Sequence, residues 1–320
     1  MLYWICTIIA LLILFFYWFT IPYRSLRSHI SHKPNIRLIE TNGQSQSLFQ
    51  NDEVTLKISQ PATLAFSLIV PAYNEEKRIS QMLQSYIIYL NSRKFNYEVI
   101  VVDDGSTDKT TEVALRTGKE MNCNLKVIKC EENGGKGLAV KIGMLNSVGE
   151  KCLFADADGA TKIESFPEME NELENITRKG LGVVVGSRNH NKLNVTRQRS
   201  KFRDMISKTC TFGMKILFHT ELKDTQCGFK LFTRLAAQRL FMIQHLERWA
   251  FDLELIFLCS KMHIPISEVP VHWTEIPGSK FNVLKDLITM ARDVSLVRIL
   301  YMITVWKLTD TMIPGLGAQN

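Results

Sequence analysis

Residues 64–75 read Leu64-Ala65-Phe66-Ser67-Leu68-Ile69-Val70-Pro71-Ala72-Tyr73-Asn74-Glu75, a short apolar run stopped by proline and followed by polar and acidic side chains. A run of this length without polar alternation is the pattern of a strand buried on both faces of a parallel sheet. A helix is expected next, because Ile79, Met82, Leu83, Tyr86, Ile87 and Leu90 recur at three- and four-residue spacing as a core-facing stripe. The alternation continues with strands over 97–102, 125–129 and 151–155 and helices over about 107–120 and 137–147. Such alternation demands right-handed crossovers and a mainly parallel sheet covered on both faces. The second half is less regular. A strand at 181–185, helices at about 201–218 and 249–262, and a strand at 266–273 are expected to complete one α/β domain spanning 64–280.

Outside that domain the composition changes. Residues 1–23 carry no charged side chain and are long enough to cross a bilayer as a helix. They lack a basic n-region and a small-residue cleavage site, so an uncleaved transmembrane anchor is expected. Arg24, Arg27, Lys33 and Arg37 precede the first acid, Glu40, which predicts a cytosolic domain. The sequons at Asn175 and Asn194 argue the other way, but a tripeptide this short arises by chance. Residues 24–63 read as a juxtamembrane linker, with 41–60 suiting a linker or a short edge hairpin. Over 281–320 the chain turns amphipathic: Val283, Leu284, Leu287, Ile288, Ala291 and Val294 share a face opposite Lys285, Asp286, Arg292 and Asp293. These C-terminal amphipathic helices suit a membrane interface, and the same pattern suits packing on the domain's own core.

With 320 residues, 46% of them apolar, the chain can bury a large core and wholesale disorder is excluded. Lys and Arg number 39 against 32 Asp and Glu, a net charge of +7 without a long basic block. That favours anionic partners and argues against nucleic acid. Seven cysteines form no Cys-x-x-Cys pair, which speaks against a disulfide framework or zinc site.

Three strand ends carry polar groups that a bare fold does not require: Pro71 to Glu75, Asp103-Asp104-Gly105-Ser106-Thr107-Asp108, and Asp156-Ala157-Asp158-Gly159. In a parallel sheet they share one rim, where ligands bind. Asp103 and Asp104 are placed to accept hydrogen bonds from ribose or base, although a helix-capping turn accounts equally for 105–108. Asp156 and Asp158, one residue apart, can face a single hard cation that holds a diphosphate; taken alone the pair is also an ordinary solvated turn. Asn133-Gly134-Gly135-Lys136-Gly137 precedes a helix and could bring backbone N–H groups and the Lys136 ammonium to phosphate, or could simply be a helix-entry turn. It lacks the Walker spacing, and no G-x-G-x-x-G fingerprint occurs, which counts against a dehydrogenase.

Val70-Pro71-Ala72-Tyr73-Asn74-Glu75, Val102-Asp103-Asp104-Gly105-Ser106, Asp156-Ala157-Asp158-Gly159 and Gly186-Ser187-Arg188 together resemble the family 2 glycosyltransferases of the Rossmann-like GT-A fold. Asp224 to Lys230, Glu247-Arg248-Trp249-Ala250-Phe251-Asp252 and Trp273 to Lys280 narrow the resemblance to the dolichyl-phosphate β-glucosyltransferases, membrane enzymes of the endoplasmic reticulum. The resemblance implies a UDP-glucose donor, a dolichyl phosphate acceptor, contact with membrane lipid, and Mg²⁺ or Mn²⁺. It implies that Pro71, Tyr73, Glu75, Asp103 and Asp104 hold the uridine end; the glycine-loop reading adds Lys136 on the donor side. Asp156 and Asp158 would flank the diphosphate as metal ligands, and Ala160 stands where related polyprenyl-phosphate transferases carry a further polar group. Arg188 and Lys280 match phosphate-holding positions.

Arg199, Arg203 and Arg248 are further candidates for the acceptor phosphate, the first two on charge and spacing alone. Asp224 and Asp252 would bind sugar hydroxyls or orient the arginines, and Asp252 with Glu254 would serve equally as structural helix acids. A lipid phosphate is already anionic at neutral pH, so positioning matters more than a strong general base. Two other readings remain: the same chemistry with GDP-mannose, and a non-catalytic nucleotide-sugar-binding membrane adaptor.

Overall fold

The computed structural model describes residues 17, 36–47, 57–188, 221–276, 283–306 and 308, with backbone alone over 283–287. Among them nine strands form one sheet: β1 (Ile36–Glu40), β2 (Ser45–Ser47), β3 (Leu64–Ala72), β4 (Tyr97–Asp104), β5 (Leu125–Cys130), β6 (Gly149–Ala155), β7 (Val183–Ser187), β8 (Phe229–Thr233) and β9 (Ile266–Pro270). Their spatial order is β2-β1-β5-β4-β3-β6-β8-β7-β9. The helices are α1 (Ile79–Ser92), α2 (Thr110–Glu120), α3 (Lys136–Leu145), α4 (Phe166–Ile176), α5 (Arg234–Ile243), α6 (Phe251–Lys261) and α7 (Val283–Met302).

Leu68, Ile69 and Val70 in β3 and Val99 to Val102 in β4 are fully buried, as the unbroken apolar runs require. Strands β5, β4, β3 and β6 pair in parallel. The chain steps from β3 outward to β4 and β5, then returns to place β6 on the other side of β3. That reversal opens a crevice at the carboxyl ends of β3 and β6, where residues 73–75 and 156–158 emerge. Beyond β6, the antiparallel β8 aligns Phe229 with Ala155, and β7 runs antiparallel to β8. Strand β7 therefore points the same way as β6 and delivers Arg188 to the same rim.

Helices α1, α2 and α4 cover one face of the sheet. Helices α3, α5, α6 and α7 cover the other.

The structure adds elements to the sequence reading and selects among the alternatives that reading left open. Strand β8 and helices α4 and α5 were not expected: Lys230 interrupts the apolar run of β8, and in α4 four glutamates and two asparagines surround the buried Phe166, Met169 and Leu173. Residues 36–47 overlap the start of the stretch expected to be a linker or a short edge hairpin; they form the hairpin, and because β1 also pairs antiparallel with β5 the sheet reaches back beyond residue 64. Helix α7 buries Met290, Val294 and Val297 in the main core while exposing Ile288, Ile299 and Met302, so core packing accounts for one of its faces. The expected anchor lies, apart from Tyr17, outside the described residues, as does the expected helix over 201–218. Among the described residues no helix is long and apolar enough to cross a membrane.

Candidate active site

The β4 acids divide their work. Asp103 Oδ1 accepts from Ser106 N at 2.9 Å, and its other oxygen accepts from the Thr111 hydroxyl. Asp104 accepts from Gly134 N at 2.8 Å, Gly135 N at 2.9 Å and Asn133 Nδ2 at 2.9 Å, which folds the glycine loop over the strand end. Burial raises the Asp104 carboxyl to about 6, even though the Gly134 and Gly135 N–H groups pull it down. The loop takes this path because Gly135 has φ +107 and a Cβ there would meet Glu247 O at 2.7 Å.

Beyond β3, Pro71 lies in the strand and Tyr73 is exposed at 36%. Asn74 adopts φ 53, with its side chain accepting from Thr107 N at 2.8 Å, and Glu75 forms a two-point pair with Arg78 at 2.7 Å for each bond. The Asn74–Thr107 bond, with Glu75 N donating to the Thr110 hydroxyl at 2.7 Å, joins the β3 and β4 ends into one wall.

Past β6, Asp156 and Asp158 follow one another at the crevice. Lys136, the first residue of α3, places Nζ 2.6 Å from Asp156 Oδ1 and also faces the Phe154 and Trp249 rings. Burial by itself would lower the Lys136 pKa, but Asp156, Asp252 and Asp158 hold it above its ordinary value, so the ammonium stays charged. Asp158 accepts from Ala160 N at 2.9 Å; burial first, and then the charge of Asp156, raise its carboxyl.

Arg188, one residue past β7, clamps Asp224 with Nε at 2.7 Å and Nη2 at 2.8 Å, and its backbone N adds a third bond at 3.0 Å. Burial opposes ionisation of Asp224, yet the guanidinium holds its carboxyl below the usual range. Of the two roles expected for Asp224, this geometry displays the orienting of an arginine.

Asp252, on α6, is paired with a buried lysine, the structural role that was one of the alternatives for it. The residue is 4% exposed, with Lys230 Nζ at 2.6 Å from its carboxylate. Burial raises its carboxyl despite the neighbouring lysines. Deleting one partner would strand the other charge at a cost of roughly 3–5 kcal/mol. Glu254 is fully buried and accepts from Leu246 N at 2.6 Å and His245 N at 2.9 Å, so it organises the turn that carries Arg248. Arg248 is exposed beside Gly135, within the field of Asp104. Arg199, Arg203 and Lys280 lie outside the described residues.

Sequence reasoning passed over Arg78 and Glu268, and it quoted Gly228 and Lys230 within a motif without giving either a role. Lys230 had a readable signal, a lone charge within an apolar run; the others depend on contacts between distant segments.

The chain matches the model of the family described as Glycosyl transferase family 2 over residues 67–241. It is 43% identical over 249 residues to a dolichyl-phosphate beta-glucosyltransferase of Dictyostelium discoideum, covering 76% of each chain. The human protein of that name is 41% identical over 257 residues, covering 78% of this chain and 79% of that one. A crystal structure of glucosyl-3-phosphoglycerate synthase from Mycobacterium tuberculosis, in complex with Mn²⁺ and uridine-diphosphate-glucose, superposes with a TM-score of 0.51 at 19% identity, covering 75% of this chain and 79% of that one. That likeness concerns the fold.

Proposed function

Because this chain belongs to the family 2 glycosyltransferases, and among them to the dolichyl-phosphate β-glucosyltransferases, we propose that it transfers glucose from UDP-glucose to dolichyl phosphate with inversion, giving dolichyl β-D-glucosyl phosphate. The observation that carries the reading is the meeting of Asp104 with its glycine loop, Asp156 with Lys136, Asp158, and Arg188 with Asp224 along one rim. On this reading the uridine end lies along the β3 and β4 tips and the diphosphate along 156–158.

Asp156 and Asp158 fit a hard divalent cation. They stand one residue apart just past β6 and supply the carboxylate oxygens such an ion takes; burial first, and then the Asp156 charge, raise the Asp158 carboxyl, and a cation would offset that charge. These two residues would hold Mg²⁺ or Mn²⁺, which supplies positive charge to the departing diphosphate. The surrounding residues prepare the ground. Lys136 brings a second positive charge, Arg188 presents a fixed guanidinium to phosphate, and the joined β3 and β4 ends fix the nucleotide's place. The acceptor phosphate is its own nucleophile; it attacks the anomeric carbon opposite the leaving UDP, so an α-linked donor yields a β-linked product.

The same reading places the protein in the endoplasmic reticulum membrane through residues 1–23, with the domain in the cytosol and the exposed apolar side of α7 toward lipid. Protease added outside sealed microsomes is expected to digest the domain; a protected domain would overturn this topology.

The deciding experiment supplies membranes containing the protein with dolichyl phosphate, Mn²⁺ or Mg²⁺, and labelled UDP-glucose or GDP-mannose. Label from UDP-glucose is expected in the lipid fraction. Label from GDP-mannose alone would replace the donor, and label from neither would leave a binding module. Asp158→Ala is expected to abolish transfer in a folded protein, and full activity in that variant would remove the metal from the account.

A further inference from the structure

The loop that delivers Asp224 is held by a strand that lies outside the motif-bearing segments. Glu268, in β9, accepts from Lys223 N at 2.7 Å through Oε2 and from Asp224 N at 2.9 Å through Oε1. Asp224 then engages Arg188 through both of its oxygens. The Arg188 guanidinium lies 5.7 Å from the Trp273 ring centroid, and its Nη1 makes no hydrogen bond among the described residues. The pairing of β7 with β9 sets Glu268 opposite Val185, three residues before Arg188. One sheet register thus holds both ends of the relay.

We propose that Glu268 is a positioning residue: by gripping two successive backbone N–H groups it sets the Asp224 carboxylate, and through it the direction in which Arg188 offers its Nη1 edge to a phosphate group. The inference rests on the reading that Arg188 meets phosphate. The chemistry requires a carboxylate at 268. Two adjacent N–H donors need two acceptor oxygens on one side chain, whereas glutamine offers one oxygen and turns an NH₂ toward the other donor. Aspartate keeps both acceptors and gives up one methylene of reach. Displacing the backbone at 223–224 would rotate the Asp224 carboxylate, and a bidentate guanidinium pair depends strongly on orientation.

The test uses the full chain in four forms: wild type, Glu268→Gln, Arg188→Gln and the double variant, with Glu268→Asp as the conservative control. Affinity for inorganic pyrophosphate with Mn²⁺ is measured by calorimetry, and KM for dolichyl phosphate by transfer assay. These two arms separate the donor's phosphates from the acceptor's. Glu268→Gln is expected to weaken one of them by about tenfold, the scale of one charge-assisted hydrogen bond. The same change made in the Arg188→Gln background should cost less than about twofold, because the relay already ends there. Glu268→Asp should recover part of the loss.

An equal loss in both backgrounds would show that Glu268 merely supports the fold. Unchanged affinity and KM in a folded Glu268→Gln protein would also overturn the proposal, as would a wild type to which neither pyrophosphate nor lipid phosphate binds. Should the wild type bind pyrophosphate but fail to use UDP-glucose, the donor assignment falls while the coupling between Glu268 and Arg188 can still be read.

Discussion

Gly228 lies so close beneath Asp156 that a Cβ built on it would stand 1.9 Å from the carboxylate Oδ2. The contact follows from sheet register: β8 begins beside the end of β6, and Gly228 O accepts the Asp156 N–H at 3.0 Å. A glycine at this point lets the carboxylate pack flat on the neighbouring backbone, with Lys136 on its other oxygen.

Gly228→Ala is therefore expected to push the Asp156 carboxylate out of place. Overpacking of this kind costs roughly 1–3 kcal/mol of stability, and with Asp156 displaced transfer should fall by at least about tenfold. Thermal unfolding and the glucosyl-transfer assay would be run together. A folded variant with undiminished turnover would mean that the position of Asp156 does not matter to the reaction.

Asp104 carries a pH signature. Its carboxyl is raised from an ordinary 3.8 to about 6, so the native state holds this proton more tightly than the unfolded chain does. Stability conferred by that proton is fully present below the unfolded value and is lost as pH rises from there to about 6, above which the contribution stays level. Denaturant titrations at several pH values between 4 and 7 should show that decline, on the order of a few kcal/mol, in the wild type. Asp104→Asn cannot titrate and should flatten that component, while lowering stability overall because an amide cannot accept from both glycine N–H groups. An identical pH slope in both proteins would disprove the assignment.

Trp306, just past α7, ties that helix to the turn that supports the glycine loop. Its ring stacks on His245 at 4.1 Å and 4°, while Tyr301 donates to the buried Glu254 at 3.2 Å. The adjoining Glu247 O accepts Leu138 N at 2.9 Å and lies against Gly135. Trp306→Ala should cost roughly 3–5 kcal/mol, the usual range for a buried aromatic truncation. Because the 245–248 turn supports the loop gripped by Asp104, affinity for UDP should fall with it. A drop in melting temperature without any change in UDP affinity would show that the support ends before the loop.

Period and punctuation in the sequence determined the framework. The apolar run before Pro71, the helical stripe from Ile79 to Leu90 and the acids at 103–104 and 156–158 are local features, and local physics is enough to place them on strands, helices and one rim. Hence the α/β class, most strand positions and the carboxylates of the candidate site were legible. What a side chain does at the rim depended on partners brought from far along the chain. Only the tertiary structure decided that Asp252 would sink into a pair with Lys230, that Asp224 would aim Arg188 under the hold of Glu268, and that residues 36–47 would join the sheet. Periodicity reports which face of an element is buried; it carries no information about which distant residue lies across that face. Hydrogen-bond geometry and charge pairing are settled when strands dock in register, and the chemistry of this rim is made of those pairings.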